Sequence, residues 1–241
     1  MGRIEILEDP PALARRAARW MMESAARAAR DFRICLSGGS TPRRLYETLA
    51  SEEFVTRFPW QSVSWYWGDE RFVPYDHPES NYRMVREAML ARAPVPAANI
   101  HPIPVDGAPD DAARHYERRL QEDYGAAVLD PTRPLFDIML LGLGPDGHTA
   151  SLIPGEPVLD ERRQWAAAVS HGRPEIRITL TYPPIESSRQ IAFLVTGEEK
   201  AAILSEIHAG GSDVPAARLR PVGELIWFVD RAAAAKLPPR A

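Results

Sequence analysis

Short apolar runs alternate along this chain with longer stretches whose apolar residues recur at helical spacing. The runs at 33–37, Val63–Trp67 and Phe136–Leu141 have the length and apolar character of strands buried on both faces. Further strands are predicted near Ile100 and at 165–169, 177–181, 190–196 and 224–229. Between them, residues 12–30 put Ala, Leu, Trp20 and Met side chains on one helical face and arginines on the other. Helices are also predicted at 43–50, with Ser40 or Thr41 as N-cap, from Ser80-Asn81 to about Arg92, at about 110–124, at about 198–208 and at the carboxyl terminus. Strands alternating with helices imply right-handed crossovers. The expected fold is therefore α/β: a single-domain, Rossmann-like, mostly parallel sheet with helices on both faces, spanning residues 1–241.

In open sheets of this kind ligands bind outside the carboxyl ends of the strands, so chemistry is sought in the residues that follow each one. After Phe136–Leu141 comes Gly142-Leu-Gly-Pro-Asp-Gly-His148, in which three glycines let backbone approach a ligand and present Asp146 and His148 two residues apart. After the 33–37 strand, Gly38-Gly39-Ser40-Thr41-Pro42 has the composition of a phosphate cradle. Glycines free backbone N–H groups, hydroxyls donate further bonds, and a helix N-terminus adds its positive dipole. It is neither the nucleoside-triphosphate loop nor the dinucleotide fingerprint, and a plain strand-to-helix turn is the competing reading.

A third loop, Gly68-Asp69-Glu70-Arg71, concentrates two carboxylates and an arginine. Arg71 either clamps a phosphate or carboxylate bidentately or forms a structural ion pair with Asp69 or Glu70. A fourth element joins Arg173 and Arg177, at the start of an apolar strand, with Lys200 near a predicted helix N-terminus. A lysine there opposes the helix dipole unless it reaches toward an anion; solvated surface charge is the alternative for the two arginines. His77, His101, His115, His171 and His208 read as solvated or structural.

Composition then narrows the partners. A net charge of −4 argues against a nucleic-acid surface, so any anionic ligand must be held by locally clustered cations. Basic residues are nearly all arginine, which makes Lys200, one of two lysines with Lys236, more noticeable. No apolar run approaches the roughly 20 residues of a membrane span, and the start lacks the basic-then-apolar order of a secretory signal. A soluble, cytoplasmic protein acting without membrane contact, as monomer or homodimer, is expected. Cys35 is the single cysteine, which excludes an intrachain disulfide and a zinc site of several thiolates; it reads as core packing. The carboxylates form no convincing ligand set, so neither metal nor cofactor is expected.

Taken in order, 36–42 (Leu-Ser-Gly-Gly-Ser-Thr-Pro), 67–74 (Trp-Gly-Asp-Glu-Arg-Phe-Val-Pro), 79–82 (Glu-Ser-Asn-Tyr), 142–151, 177–181 and 196–200 (Thr-Gly-Glu-Glu-Lys) resemble the 6-phosphogluconolactonases of the bacterial type. These sit in the superfamily that also contains glucosamine-6-phosphate deaminase. The resemblance implies hydrolysis of a sugar-phosphate lactone, with His148 as general base, Asp146 orienting it, and Arg71 stabilising the oxyanion or holding the substrate carboxyl region. It further implies a 6-phosphate held by Gly38, Gly39, Ser40 and Thr41 with Lys200 and Arg177, and a polar role for Asp69. Prolines normally precede the strand arginine more closely than in His171-Gly-Arg-Pro-Glu-Ile-Arg177, which leaves Arg173 competing with Arg177.

The deaminases are the rival reading. They resemble Asp-Glu-Tyr where this chain has Asp69-Glu70-Arg71, and they carry a glutamate five residues after the histidine, where this chain has Ile153. Isoleucine accepts no hydrogen bond, so a proton relay at the sugar's second carbon would lack a member. A third reading, a non-catalytic sugar-phosphate sensor, is disfavoured by the negative charge and the complete histidine turn.

Overall fold

The computed structural model describes residues 2–28, 31–170 and 175–238. Ten strands occur among them: β1 (Arg3–Leu7), β2 (Phe32–Leu36), β3 (Val63–Trp67), β4 (Asp69–Arg71), β5 (Ile100–His101), β6 (Phe136–Leu141), β7 (Ala166–Val169), β8 (Arg177–Leu180), β9 (Ser188–Val195) and β10 (Glu224–Asp230). The helices are α1 (Pro10–Ala26), α2 (Ser40–Leu49), α3 (Asn81–Val85), α4 (Pro109–Tyr124), α5 (Tyr182–Glu186), α6 (Ala201–Ala209) and α7 (Pro215–Arg218). Seven strands make one sheet in the order β1-β10-β9-β6-β2-β3-β5, and every neighbouring pair in it is parallel. All six residues of β6 are buried, as a strand covered by helices on both faces must be. The fold is the expected α/β architecture, a mostly parallel sheet with helices.

Strand order explains where ligands can enter. From β2 the chain continues to β3 and β5 on one side, whereas β6 leads to β9 and β10 on the other. The order therefore reverses between β2 and β6, and the loops at their carboxyl ends diverge to open a crevice. The four central strands β9, β6, β2 and β3 lie side by side and end in the four loops singled out in the sequence.

Several elements differ from expectation for identifiable reasons. Helix α1 starts at Pro10, because Asp9 accepts a 2.8 Å bond from the Ala12 amide and two prolines occupy the first turn. It ends at Ala26 rather than at Arg30, which lies outside the described residues. Neither Ser40 nor Thr41 caps α2; Gly39 holds that position at φ 103°, without a side-chain cap bond. The helix opened by Ser80 leaves α-helical geometry after Val85 and runs on as a π turn over Arg86–Leu90. Strand β1, unforeseen in the sequence, pairs with β10 at the sheet edge, where its half-exposed side chains write only a weak pattern. The alanine-rich stretch after Asp230 forms turns and no regular helix, since a short segment ahead of Pro238 cannot recover the cost of nucleation.

The strands at 165–169 and 177–181 do not extend the parallel sheet. With β4 they build a separate three-stranded antiparallel sheet in the order β4-β8-β7. β7 ends at Val169 and β8 begins at Arg177, a connection too short for the crossover of a dozen or more residues that parallel pairing requires. This small sheet sets Arg71 directly opposite Arg177.

Candidate active site

A cleft of about 230 Å³ lies over the carboxyl ends of the central strands, and all ten predicted site residues except Asp146 line it. Asp146 reaches the cleft through His148: its Oδ1 lies 2.5 Å from the ring Nδ1 and 3.2 Å from the His148 amide. An ionised carboxylate only accepts, so the ring donates from Nδ1 and leaves the lone pair on Nε2. Partial burial pushes the Asp146 carboxyl upward, but the two bonds from His148 outweigh it and hold the group below the ordinary range. The turn is compact: the Gly144 amide donates to the His148 carbonyl at 2.9 Å and the Gly147 amide to the Gly144 carbonyl at 3.0 Å. A side chain at position 144 would put its Cβ 2.0 Å from His148 Nδ1, so only glycine leaves room for the ring. Ala150, beside this turn in the cleft, is left-handed at φ 48°, a conformation that costs free energy in a residue other than glycine.

The phosphate-loop candidates follow β2. With Gly39 as N-cap, the hydroxyls of Ser40 and Thr41 are released from capping. Thr41 Oγ1 meets Thr196 Oγ1 at 2.6 Å, which links the start of α2 to the end of β9. Lys200 occupies the N-cap position of α6 and makes no ion pair among the described residues. It is thus a cation facing the cleft beside the α2 N-terminus.

Glu70 organises the third loop. Buried at 1% exposure, it accepts from the amides of Arg71 at 2.8 Å, Asn81 at 2.7 Å and Tyr82 at 2.7 Å, and from the Ser80 hydroxyl at 3.1 Å. Burial raises its carboxyl to about 7, against the pull of those amides. Arg71 pairs with neither Asp69 nor Glu70. Its Nη1 donates to the Glu79 carbonyl at 2.7 Å and lies 3.4 Å from the Glu79 carboxylate, while its buried Nε has no partner among the described residues. Arg71 also lines the cleft, so its guanidinium brings positive charge there.

Asp69 is buried, and its Oδ2 accepts from Ser151 Oγ at 2.8 Å. Arg177 reaches the cleft but is bound to Glu175, with Nε at 3.1 Å and Nη2 on the same carboxylate oxygen, so much of its charge is already met. That bond holds the Glu175 carboxyl below its ordinary range. Arg173 lies outside the described residues, as does His171. Cys35 is fully buried, its thiol pushed up by desolvation, in keeping with core packing. Ile153 is also buried, and its side chain has no polar atom to offer His148.

Sequence reasoning missed Asn81, Ser151 and Thr196. Asn81 was read together with Ser80 as a helix cap, but Ser80 alone caps α3 by accepting from the Arg83 amide at 3.1 Å. The Asn81 side chain is instead buried against Asp69 and lines the cleft. Its place in the 79–82 motif was the signal available.

Residues 8–227 match the family model described as glucosamine-6-phosphate isomerases/6-phosphogluconolactonase. A 6-phosphogluconolactonase of Synechocystis is 44% identical over 86% of this chain and 85% of its own length. A second, of Nostoc, is 39% identical over 97% of this chain and 98% of its own. The crystal structure of 6-phosphogluconolactonase from Thermotoga maritima superposes with a TM-score of 0.81 at 30% identity, covering 95% of this chain and 99% of that one.

Proposed function

We infer the reaction from the premise that the chain belongs to the glucosamine-6-phosphate isomerase/6-phosphogluconolactonase family, and from the half of that family its site fits. It hydrolyses 6-phospho-D-glucono-1,5-lactone to 6-phosphogluconate, a step of the oxidative pentose phosphate pathway. The observation that carries the site assignment is the 2.5 Å contact of Asp146 with His148 in a cleft that also holds Arg71 and Lys200.

In this reading His148 Nε2 takes a proton from water as its oxygen attacks the lactone carbonyl. The C=O pair moves onto oxygen, and the Arg71 guanidinium stabilises that oxyanion. As the carbonyl re-forms, the bond to the ring oxygen breaks, and the imidazolium gives its proton to that departing oxygen, which becomes the C5 hydroxyl. Hydrolysis needs no group beyond these. The deaminase route is disfavoured because Ile153, five residues after His148, can relay no proton. Gly38, Gly39, Ser40, Thr41 and Lys200 hold the 6-phosphate, with Arg177 as a weaker contributor because Glu175 already engages it. Asp69 shapes the sugar-facing wall. The protein acts in the cytoplasm as a single unit over 1–241, as monomer or homodimer, with neither cofactor nor nucleic acid.

The direct test follows freshly generated 6-phosphogluconolactone into 6-phosphogluconate above the spontaneous rate, with glucosamine 6-phosphate deamination assayed alongside. Lactone hydrolysis alone supports the reading; ammonia release would favour the rival, and ligand binding without turnover would favour a sensor. Replacing Arg71 by alanine is expected to lower kcat by roughly 10²- to 10³-fold, the usual cost of one oxyanion donor. An undiminished kcat would move Arg71 out of that role. Lys200→Ala should raise KM more than it lowers kcat, because a phosphate anchor distant from the carbonyl binds ground and transition states alike. A fall in kcat at constant KM would put Lys200 at the reacting atoms instead.

A further inference from the structure

We propose that the side-chain carboxamide oxygen of Asn81 accepts a ring hydroxyl of the bound sugar lactone and thereby selects for a fully hydroxylated substrate. The proposal rests on the lactonase reading and adds a specificity residue to it. Asn81 is 4% exposed and lines the cleft between the phosphate loop and Asp69. Its orientation is determined by its partners: Nδ2 donates to the Asp69 carbonyl at 2.9 Å and lies 3.4 Å from Asp69 Oδ1. Turning the amide over would set its oxygen against both of those oxygens, so Nδ2 must face Asp69 and Oδ1 must face away.

Oδ1 accepts no hydrogen bond among the described residues, although Nδ2 of the same amide donates to Asp69 and the main-chain N–H donates to Glu70. Gly38 explains how the amide fits. A Cβ at position 38 would stand 2.1 Å from Asn81 Oδ1 and 2.5 Å from its Cγ. The first glycine of the phosphate loop is therefore required by Asn81, independently of any phosphate. The second, Gly39, is required by its own φ of 103°.

An acceptor at this place meets a defined part of the substrate. With the phosphate at the α2 N-terminus and the carbonyl at Arg71 and His148, the ring carbons between them bear the hydroxyls on C2, C3 and C4. A hydroxyl that donates to Oδ1 satisfies it, whereas a substrate lacking that hydroxyl leaves a desolvated acceptor unpaired.

The experiment compares 6-phosphogluconolactone with its 2-deoxy, 3-deoxy and 4-deoxy analogues on the full-length protein and on Asn81→Ala. The wild type should hydrolyse one analogue with kcat/KM lowered by roughly 10- to 100-fold, the penalty of one unmatched buried polar group. In Asn81→Ala that ratio should collapse toward one, because the full substrate loses the contact too. Loss of the Nδ2 bonds would depress all four substrates together and leave the ratios unchanged, so structural damage is separated from recognition. If Asn81→Ala does not fold, Gly38→Ala, which displaces the amide, should show the same collapse. Ratios that stay the same in wild type and variant for all three analogues, or no discrimination by the wild type, would overturn the proposal. Failure of the wild type to accelerate hydrolysis of the full lactone would remove the underlying reading, and this proposal with it.

Discussion

Replacing His148 by alanine is expected to lower kcat for lactone hydrolysis by roughly 10²- to 10⁴-fold, the range a positioned general base contributes. Among the described residues the ring is hydrogen-bonded from one side only, by Asp146 at 2.5 Å, and it packs into the space that Gly144 leaves. The turn itself depends on main-chain bonds, such as that from the Gly144 amide to the His148 carbonyl, and these survive the substitution. Thermal unfolding should therefore change little, by about 0.5 kcal/mol or less, as for a surface substitution outside the core. The loss should appear in kcat with KM nearly constant, because the base acts on water and not on the sugar. A variant that keeps its activity would remove His148 from the mechanism.

Asp146→Asn is expected to cost roughly 10²- to 10⁴-fold in kcat, by a different physical route. The carboxylate accepts from Nδ1 and so keeps the reactive lone pair on Nε2; its charge also stabilises the imidazolium formed in the reaction. An amide carries no charge and can offer an N–H to Nδ1, which would move the ring proton to Nε2 and block the base. The bonds from His148 hold the Asp146 carboxyl below the ordinary range. It therefore stays ionised near neutrality, and its own protonation should add no step to the pH profile there. Kinetics of Asp146→Asn beside His148→Ala, and of the double variant, provide the check. If the pair acts as one unit, the double variant should lose little more than the worse single one. Full additivity of the two losses would show that Asp146 does not act through His148.

Much of this site was legible because its signals are local. Glycines around Asp146 and His148, and again around Ser40, mark places where backbone conformation or close approach forbids a side chain. The fate of Arg71 was not legible. Both ion-pair partners considered were its sequence neighbours, yet the guanidinium turns to Glu79, while Glu70 is taken up by amides from α3. The antiparallel sheet was missed because β4, β7 and β8 are short and have no periodicity that separates them from parallel strands. Ser151 and Asn81 escaped notice because their partner, Asp69, is distant in sequence.

The amino-acid sequence by itself determined the alternation of strands and helices, the α/β class, and the loops that end the central strands. Each of these depends on a short window: hydrophobic period, capping residues, or a glycine where φ or contact demands one. The tertiary structure alone decided that β9, β6, β2 and β3 lie side by side, so that residues from Gly38 to Lys200 line one cleft. It alone set Arg71 opposite Arg177 and turned the Asn81 amide against Asp69. Those outcomes follow from strand order and from hydrogen bonds between residues far apart in sequence, such as Ser151 and Asp69, 82 positions apart, and Thr41 and Thr196, 155 positions apart. Such partners are chosen by packing of the whole chain, and no local pattern of residues encodes them.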